Sequence, residues 1–332
     1  MAEWYHSAMV WVEFLAAASL IAVAGTVLTK NADRLADKTG VSSGLIGLLL
    51  LSVITSLPEL GTTISVVAYV GSPDLAAGNI FGSNTFNILI LAVMDFMIGS
   101  ALFYTSFRLP HGKSALLAVL MTAVAIGAIV FGSGSLVGGR VSTAAVVLLA
   151  TYVLGIYVIL KEEKASHKPL ESEASEKESI AKEAAVVFIS GLAVVGSGYW
   201  LANIADEIAG VTGWGESFIG YLFLAISTSL PELVISVTSI RLKAYDMAVA
   251  NIFGSCFFNI LMFTIAEPFY KGVILNDVGG ANVHLALVSL AMIAVAGTAV
   301  NAGRKGMKSS LTKWIIVGLY LLGSYVVFST GG

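Results

Sequence analysis

A chain of 332 residues that is 57% hydrophobic and only 12% charged stands far from the roughly 25% charged fraction of a soluble domain. The composition is that of a polytopic membrane protein and excludes a water-soluble enzyme or binding module. Its net charge of −3 is too small to argue for a nucleic-acid or lipid-headgroup partner.

About 20 apolar residues cross a bilayer as a helix. Ten such stretches can be placed, at roughly 9–29, 43–70, 76–99, 114–132, 142–160, 184–204, 215–240, 245–268, 283–301 and 312–330. The alternating segments of a membrane β-barrel are absent, so the expected fold is an all-α polytopic membrane protein with ten transmembrane helices. Met1 to Ser7 carries no Lys or Arg, whereas Lys30, Arg34 and Lys38 follow the first apolar run. A secretory signal peptide has the opposite flanks, so the run predicts a retained helix with its N-terminus outside. Of the 18 Lys and Arg residues, all but Arg140 and Lys271 fall on the side of the 1–2, 3–4, 5–6, 7–8 and 9–10 loops. That asymmetry supports ten spans in the cell membrane with both termini outside.

The second predicted span contains Thr55-Ser56-Leu57-Pro58-Glu59-Leu60, and the same six letters recur as Thr228-Ser229-Leu230-Pro231-Glu232-Leu233, 173 positions later. The third span contains Asn79-Ile80-Phe81-Gly82-Ser83-Asn84-Thr85-Phe86-Asn87-Ile88-Leu89. It matches 251–261 at nine of eleven positions with an offset of 172. Long motifs in the same order at nearly constant offset mark an internal duplication. Between the copies, 161–183 is rich in Ser, Glu and Lys and reads as a solvated cytoplasmic linker, with a regulatory ion site there as the less favoured reading. The expected units are 1–160, carrying motif 52–91, and 184–332, carrying motif 225–263. Five spans per unit is an odd number, so the halves enter the membrane in opposite directions, as inverted repeats.

An ionisable side chain at mid-membrane costs roughly 2.5–3.5 kcal/mol on insertion scales, which makes Glu59 and Glu232 candidates for function. Residues three and four apart share a helix face, so Ser52, Thr55, Ser56, Glu59 and Thr63 form one polar stripe, and Thr228, Ser229, Glu232 and Ser236 its counterpart. Pro58 and Pro231 have no N–H to give the carbonyls of Ile54 and Ser227, and unwound carbonyls are expected there. Carboxylates, hydroxyls and carbonyls together are what sodium and calcium require, since hard cations take oxygen ligands. Asn79, Ser83 and Asn87, and likewise Asn251, Ser255 and Asn259, recur every four residues and face the motif helices. Ser83, Asn87, Ser255 and Asn259 are assigned to ion contact. Asn79 and Asn251 can equally be interhelical glue, and Gly78-x-x-x-Gly82 and Ala250-x-x-x-Gly254 are patterns that let helices approach closely.

These residues resemble the α-repeats of the calcium/cation antiporter family, closest to its sodium/calcium exchanger branch. The resemblance implies one calcium and several sodium sites at the midplane, and two long tilted helices, first and sixth, that slide to switch access. It implies that Glu59 and Glu232 hold calcium with the carbonyls of Thr55 and Thr228. The Ser52 and Ala225 carbonyls, with Thr55, Ser56, Ser83, Thr228, Ser229 and Ser255, would serve outer sodium sites, and Asn87 and Asn259 the centre. The chain departs from the family pattern at Asn259, where several relatives carry Asp. It also departs at Ile54, Ser227 and Ala250, where Gly is common.

The expected function is therefore sodium/calcium antiport without a cofactor, with calcium, sodium and the bilayer as partners and no oligomer required. A proton-coupled calcium exchanger is the first alternative, and a cation channel, which usually needs a symmetric ring of subunits, a distant one. No His-Glu-x-x-His is present and no histidine lies at membrane depth to activate a nucleophile, so an enzyme is not expected. Cys256 alone forms no intrachain disulfide and reads as a small packed residue, and His6, His111, His167 and His284 show no metal-ligand spacing.

Overall fold

The computed structural model describes residues 2–99, 103, 106, 111–136, 141–166, 174–212, 225–304 and 311–330. Among them ten helices follow in the predicted order. They are α1 (Ala2–Thr39), α2 (Ser43–Val70), α3 (Pro73–Ile98), α4 (Gly112–Phe131), α5 (Thr143–Ser166), α6 (Ala174–Thr212), α7 (Leu230–Arg241), α8 (Tyr245–Ala266), α9 (Gly280–Arg304) and α10 (Thr312–Thr330). Eight are long and apolar enough to cross a membrane. The start of the predicted 215–240 span, 213–224, lies outside the described residues, and helical residues 225–228 lead into α7. Arg108, Arg140, His167, Lys168, Lys305 and Lys308 also lie outside them.

The fold is the expected all-α one, with one short extended element where the α4–α5 connection folds back as a two-residue antiparallel pair, β1 (Ser135–Leu136) with β2 (Val141–Ser142). Gly132, with φ of 77°, ends α4 and starts that reversal. Helix reaches into both ends of the 161–183 segment. α5 continues to Ser166 and α6 begins at Ala174, because Lys, Glu and Ala are good helix formers.

Turn chemistry sets the joints of the first repeat. The Ser42 hydroxyl accepts from the Leu45 N–H at the start of α2 (3.1 Å), and Ser72 does the same for Leu75 at the start of α3 (3.2 Å), with Pro73 in the first helical position. Gly71 closes α2 in the left-handed region, φ 72°, which a side chain there would oppose. At the opposite joint, between α7 and α8, Lys243 takes the left-handed conformation, φ 63°.

The main apolar core is built from α3, α4, α8 and α9, with α8 almost wholly enclosed. α1 and α6, 38 and 39 residues long, pack along each other and bury Val10, Ala17 and Ile21 against Leu201, Ile204 and Ile208. At about 1.5 Å per residue each exceeds the roughly 30 Å hydrocarbon thickness. Lys38 of α1 donates to Glu183 of α6 at 2.8 Å. Val12, Leu15, Phe188, Ile189 and Leu192 remain exposed on this pair, the surface a helix offers to lipid. Polar staples join the loops at the other end. The Ser142 N–H donates to Glu267 Oε2 (2.7 Å), Asp74 Oδ1 accepts from the Gly279 N–H (2.6 Å), and the Ser133 N–H donates to Asn276 Oδ1 (2.7 Å).

Candidate ion-binding site

The two repeated motifs face each other in the interior, on α2 and on the helical run from 225 through α7. Ser52, Thr55, Ser56, Glu59, Thr228, Ser229, Glu232, Ser83, Asn87, Ser255 and Asn259 are all buried, as is Ala225. The glutamates are bonded crosswise. Ser229 Oγ donates to Glu59 Oε1 at 3.0 Å, and Ser56 Oγ donates to Glu232 Oε1 at 3.0 Å. The Thr228 hydroxyl also lies within reach of Glu59, and those of Thr55 and Ser255 within reach of Glu232.

The remaining oxygens follow the same two-fold logic. Thr55 Oγ1 donates to the Ser52 carbonyl at 3.2 Å, and Thr228 Oγ1 to the Ala225 carbonyl at 3.2 Å. Ser255 Oγ lies 3.4 Å from both the Ser52 carbonyl and Thr55 Oγ1. Asn79 and Asn251 prove to be interhelical ties. Asn79 Nδ2 donates to the Glu59 carbonyl (3.2 Å) and to Thr63 Oγ1 (3.0 Å), and Asn251 Nδ2 to Ser236 Oγ (3.3 Å). They fix α3 to α2 and α8 to α7, one helical turn from the serines.

The backbone departs from the sequence expectation. α2 passes through Pro58 as helix, and its irregularities are two π-helical stretches, Ile46–Leu51 and Val66–Val70, that flank the motif. The π register displaces the carbonyls just before Ser52, whose hydroxyl donates to the Leu48 carbonyl. In the second repeat the break is local, at Ser229 before Leu230. Small residues set the close approach. A Cβ on Gly254 would lie 2.7 Å from Ser52 Cβ and from the Leu48 carbonyl, whereas one on Gly82 would meet Ala225 Cβ at an ordinary 3.5 Å.

The donor set fits a hard cation. Glu59 Oε2, Glu232 Oε2, Ser83 Oγ, Asn87 Oδ1 and Asn259 Oδ1 are buried oxygens with no hydrogen-bond partner among the described residues. Buried polar atoms are otherwise nearly always paired. Among the described residues no basic side chain pairs with either glutamate, and no group of three His, Cys, Asp or Glu side chains converges. Among the described residues the acidic groups of the site are therefore these two carboxyls. Asp95, whose Oδ2 likewise has no partner among the described residues, differs in having a base beside it. It too is fully buried, but Lys313 Nζ stands 3.4 Å from it and also lies over the Phe96 ring, 4.7 Å from its centroid.

One residue at the site had escaped the sequence reading. Asn84 Nδ2 donates to the Cys256 carbonyl and Asn84 Oδ1 accepts from Asn259 Nδ2, both at 3.0 Å. It lies off the Asn79–Ser83–Asn87 face, and the repeat comparison places Cys256 opposite it, so neither periodicity nor duplication flagged it. Cys256 is fully buried, as expected of a small packed residue. His111, expected to be without a metal role, is paired to Asp246 at 2.7 Å.

Comparisons with known proteins bear on the family and the fold. A family model described as sodium/calcium exchanger protein matches residues 9–161 and 182–331. The putative antiporter CaxA of Alkalimonas amylolytica is 26% identical over 317 residues, covering 90% of this chain and 92% of that protein. The inner membrane protein YrbG of Escherichia coli K12 is 26% identical over 267 residues, 75% of this chain and 78% of the relative. Among solved structures, the sodium-calcium exchanger NCX_Mj soaked with 10 mM Na+ and zero Ca2+ shares the fold. The TM-score is 0.73 at 20% identity, covering 95% of this chain and 98% of that one.

Proposed function

Since this chain belongs to the sodium/calcium exchanger family, we propose that it exchanges sodium for calcium by alternating access at the site between α2, α3, α7 and α8. Glu59 and Glu232 supply the charge. One Ca2+ or two Na+ balance two carboxylates, so either can fill the site but both together cannot do so favourably, and that exclusion is the physical basis of exchange. The observation that carries this reading is the crosswise pairing of Ser229 with Glu59 and Ser56 with Glu232. Each carboxylate keeps one oxygen, Oε2, without a protein partner. The hydroxyls hold the glutamates without neutralising them, and the cation supplies the missing positive charge.

Around this centre, Ser83, Asn87, Ser255 and Asn259 contribute neutral oxygens. The carbonyls of Thr55 and Thr228 complete the calcium position. Those of Ser52 and Ala225, with the neighbouring hydroxyls, take sodium. The protein works in the cell membrane with both termini outside and needs no cofactor and no second copy. The repeats comprise 1–160 and 184–332.

Equilibrium binding of 45Ca2+ to the purified protein, titrated with NaCl against choline chloride, tests the shared site. Sodium is expected to displace calcium competitively, and Glu59→Gln or Glu232→Gln to abolish calcium binding. Calcium that stays bound at saturating sodium but leaves as pH falls would replace sodium coupling by proton coupling.

A further inference from the structure

The two neutral amides of the proposed site, Asn87 and Asn259, occupy equivalent positions in the repeats, yet their surroundings differ. The difference starts where α3 and α8 cross. Asn84 Nδ2 donates to the Cys256 backbone carbonyl at 3.0 Å, and a carbonyl can only accept. That anchor fixes which end of the Asn84 amide is which. Asn84 Oδ1 therefore faces Asn259 and can only accept, so the Asn259 atom 3.0 Å from it is Nδ2. With its N–H group so engaged, Asn259 turns Oδ1 the other way, buried and without a protein partner.

The mirror position breaks this chain. Residue 256 is the counterpart of Asn84, and it is a cysteine whose Sγ lies 4.0 Å from the Asn84 carbonyl. A thiol is a weak donor and a weak acceptor and cannot orient an amide. Both Nδ2 and Oδ1 of Asn87 are buried without a protein partner.

We propose that Asn84 is a specificity-setting positioning residue for the site. It locks Asn259 with its oxygen toward the cation, while Cys256 leaves Asn87 unlocked, so the site has one fixed and one adaptable neutral ligand. The inference rests on the proposed cation site and deepens it. A fixed oxygen is organised before the ion arrives and favours the divalent ion, which gains most from each oriented dipole. An amide that turns presents oxygen to a cation or N–H to a carboxylate, and it suits a site that must hold different ions in succession.

Equilibrium 45Ca2+ binding to the purified full-length protein, with thermal unfolding of the same samples, tests this. Asn84→Leu keeps the side-chain shape and removes the amide, and calcium is expected to bind about tenfold more weakly, the scale of one oriented polar contact to an ion. Cys256→Asn supplies the missing lock, and binding is expected to tighten severalfold even if the larger side chain lowers the unfolding midpoint. The double exchange Asn84→Cys with Cys256→Asn moves the lock to the other repeat, and binding is expected within about threefold of wild type. Equal calcium affinity in folded Asn84→Leu and wild type, or a double exchange as weak as Asn84→Leu, overturns the proposal. If Asn84→Leu does not fold, the double exchange and Cys256→Asn decide. A wild-type protein that binds no calcium overturns the exchanger reading and this inference with it, whereas calcium binding indifferent to residue 84 overturns only the latter.

Discussion

Glu59 and Glu232 take their side-chain hydrogen bonds from serines of the opposite repeat, whereas the equally buried Asp95 faces Lys313. The difference in partner sets two carboxyls that have no base beside them among the described residues, the ones proposed to meet a cation, apart from one that faces a lysine. Ser56→Ala or Ser229→Ala removes one hydroxyl and leaves the carboxyl, so apparent calcium affinity is expected to fall about three- to tenfold, the scale of one net hydrogen bond. Sodium-driven flux at saturating calcium checks that the maximal rate survives. The glutamates were legible in the sequence because a charge at membrane depth is costly and here occurs twice in identical six-residue frames. Asn79 and Asn251 were legible only as to face. Whether an amide on that face meets an ion or a neighbouring helix depends on the register between helices, and the Asn79 bond to Thr63 is a matter of tertiary packing. Asn84 was illegible for the same reason, since its partner lies 172 residues away on α8.

At the scale of the element, the repeats share their motifs and differ in backbone. The α2–α3 joint uses Gly71 in the left-handed region, and the α7–α8 joint asks the same of Lys243. A left-handed non-glycine residue costs roughly 1–2 kcal/mol, so Lys243→Gly is expected to raise the unfolding midpoint and Gly71→Ala to lower it. Opposite shifts on thermal denaturation check the pair. Gly254→Ala is expected to destabilise by about 1–3 kcal/mol, because its methyl has no room against Ser52 and the Leu48 carbonyl. Gly82→Ala is expected to be far milder, with Ala225 Cβ at 3.5 Å. Calcium affinity measured beside stability should fall in the first and hold in the second, since only the first pushes α8 away from Ser52. Apolar run lengths placed nearly every helix, and the α2 run at 43–70 coincides with the helix. The π-helical stretches were not legible, because they arise where a helix adjusts its register to packing and the motif prolines suggested a break at a different place.

For the whole molecule, the long α1–α6 pair stands apart from the core of α3, α4, α8 and α9 and meets the motif helices through Leu28, Val187 and Val194, packed with Leu51 and Ile235, and through glycines. A Cβ on Gly198 of α6 would lie 2.5 Å from Pro58 Cγ, and one on Gly25 of α1 would lie 3.6 Å from Val234 Cβ. These close contacts lie where the proposed alternating access would require α1 and α6 to move past the motif helices. The latter spacing matches the Cβ–Cβ distance of a disulfide, about 3.5–4.5 Å. Gly25→Cys with Val234→Cys is therefore expected to arrest transport on oxidation and recover it on reduction, and full flux in the crosslinked protein would show that α1 need not move past α7. The inverted five-plus-five plan was legible from the duplication and the odd span count alone. The helical reach of α5 and α6 into 161–183 was not, because charged residues favour helix and solvated loop alike. The central claim is that a sodium gradient drives calcium through this fold. The most direct test is 45Ca2+ uptake into proteoliposomes carrying an outward sodium gradient, with the proton gradient imposed or collapsed independently. Calcium is expected to accumulate only while the sodium gradient persists, whatever the proton gradient. Uptake that ignores sodium and follows the proton gradient would contradict the account.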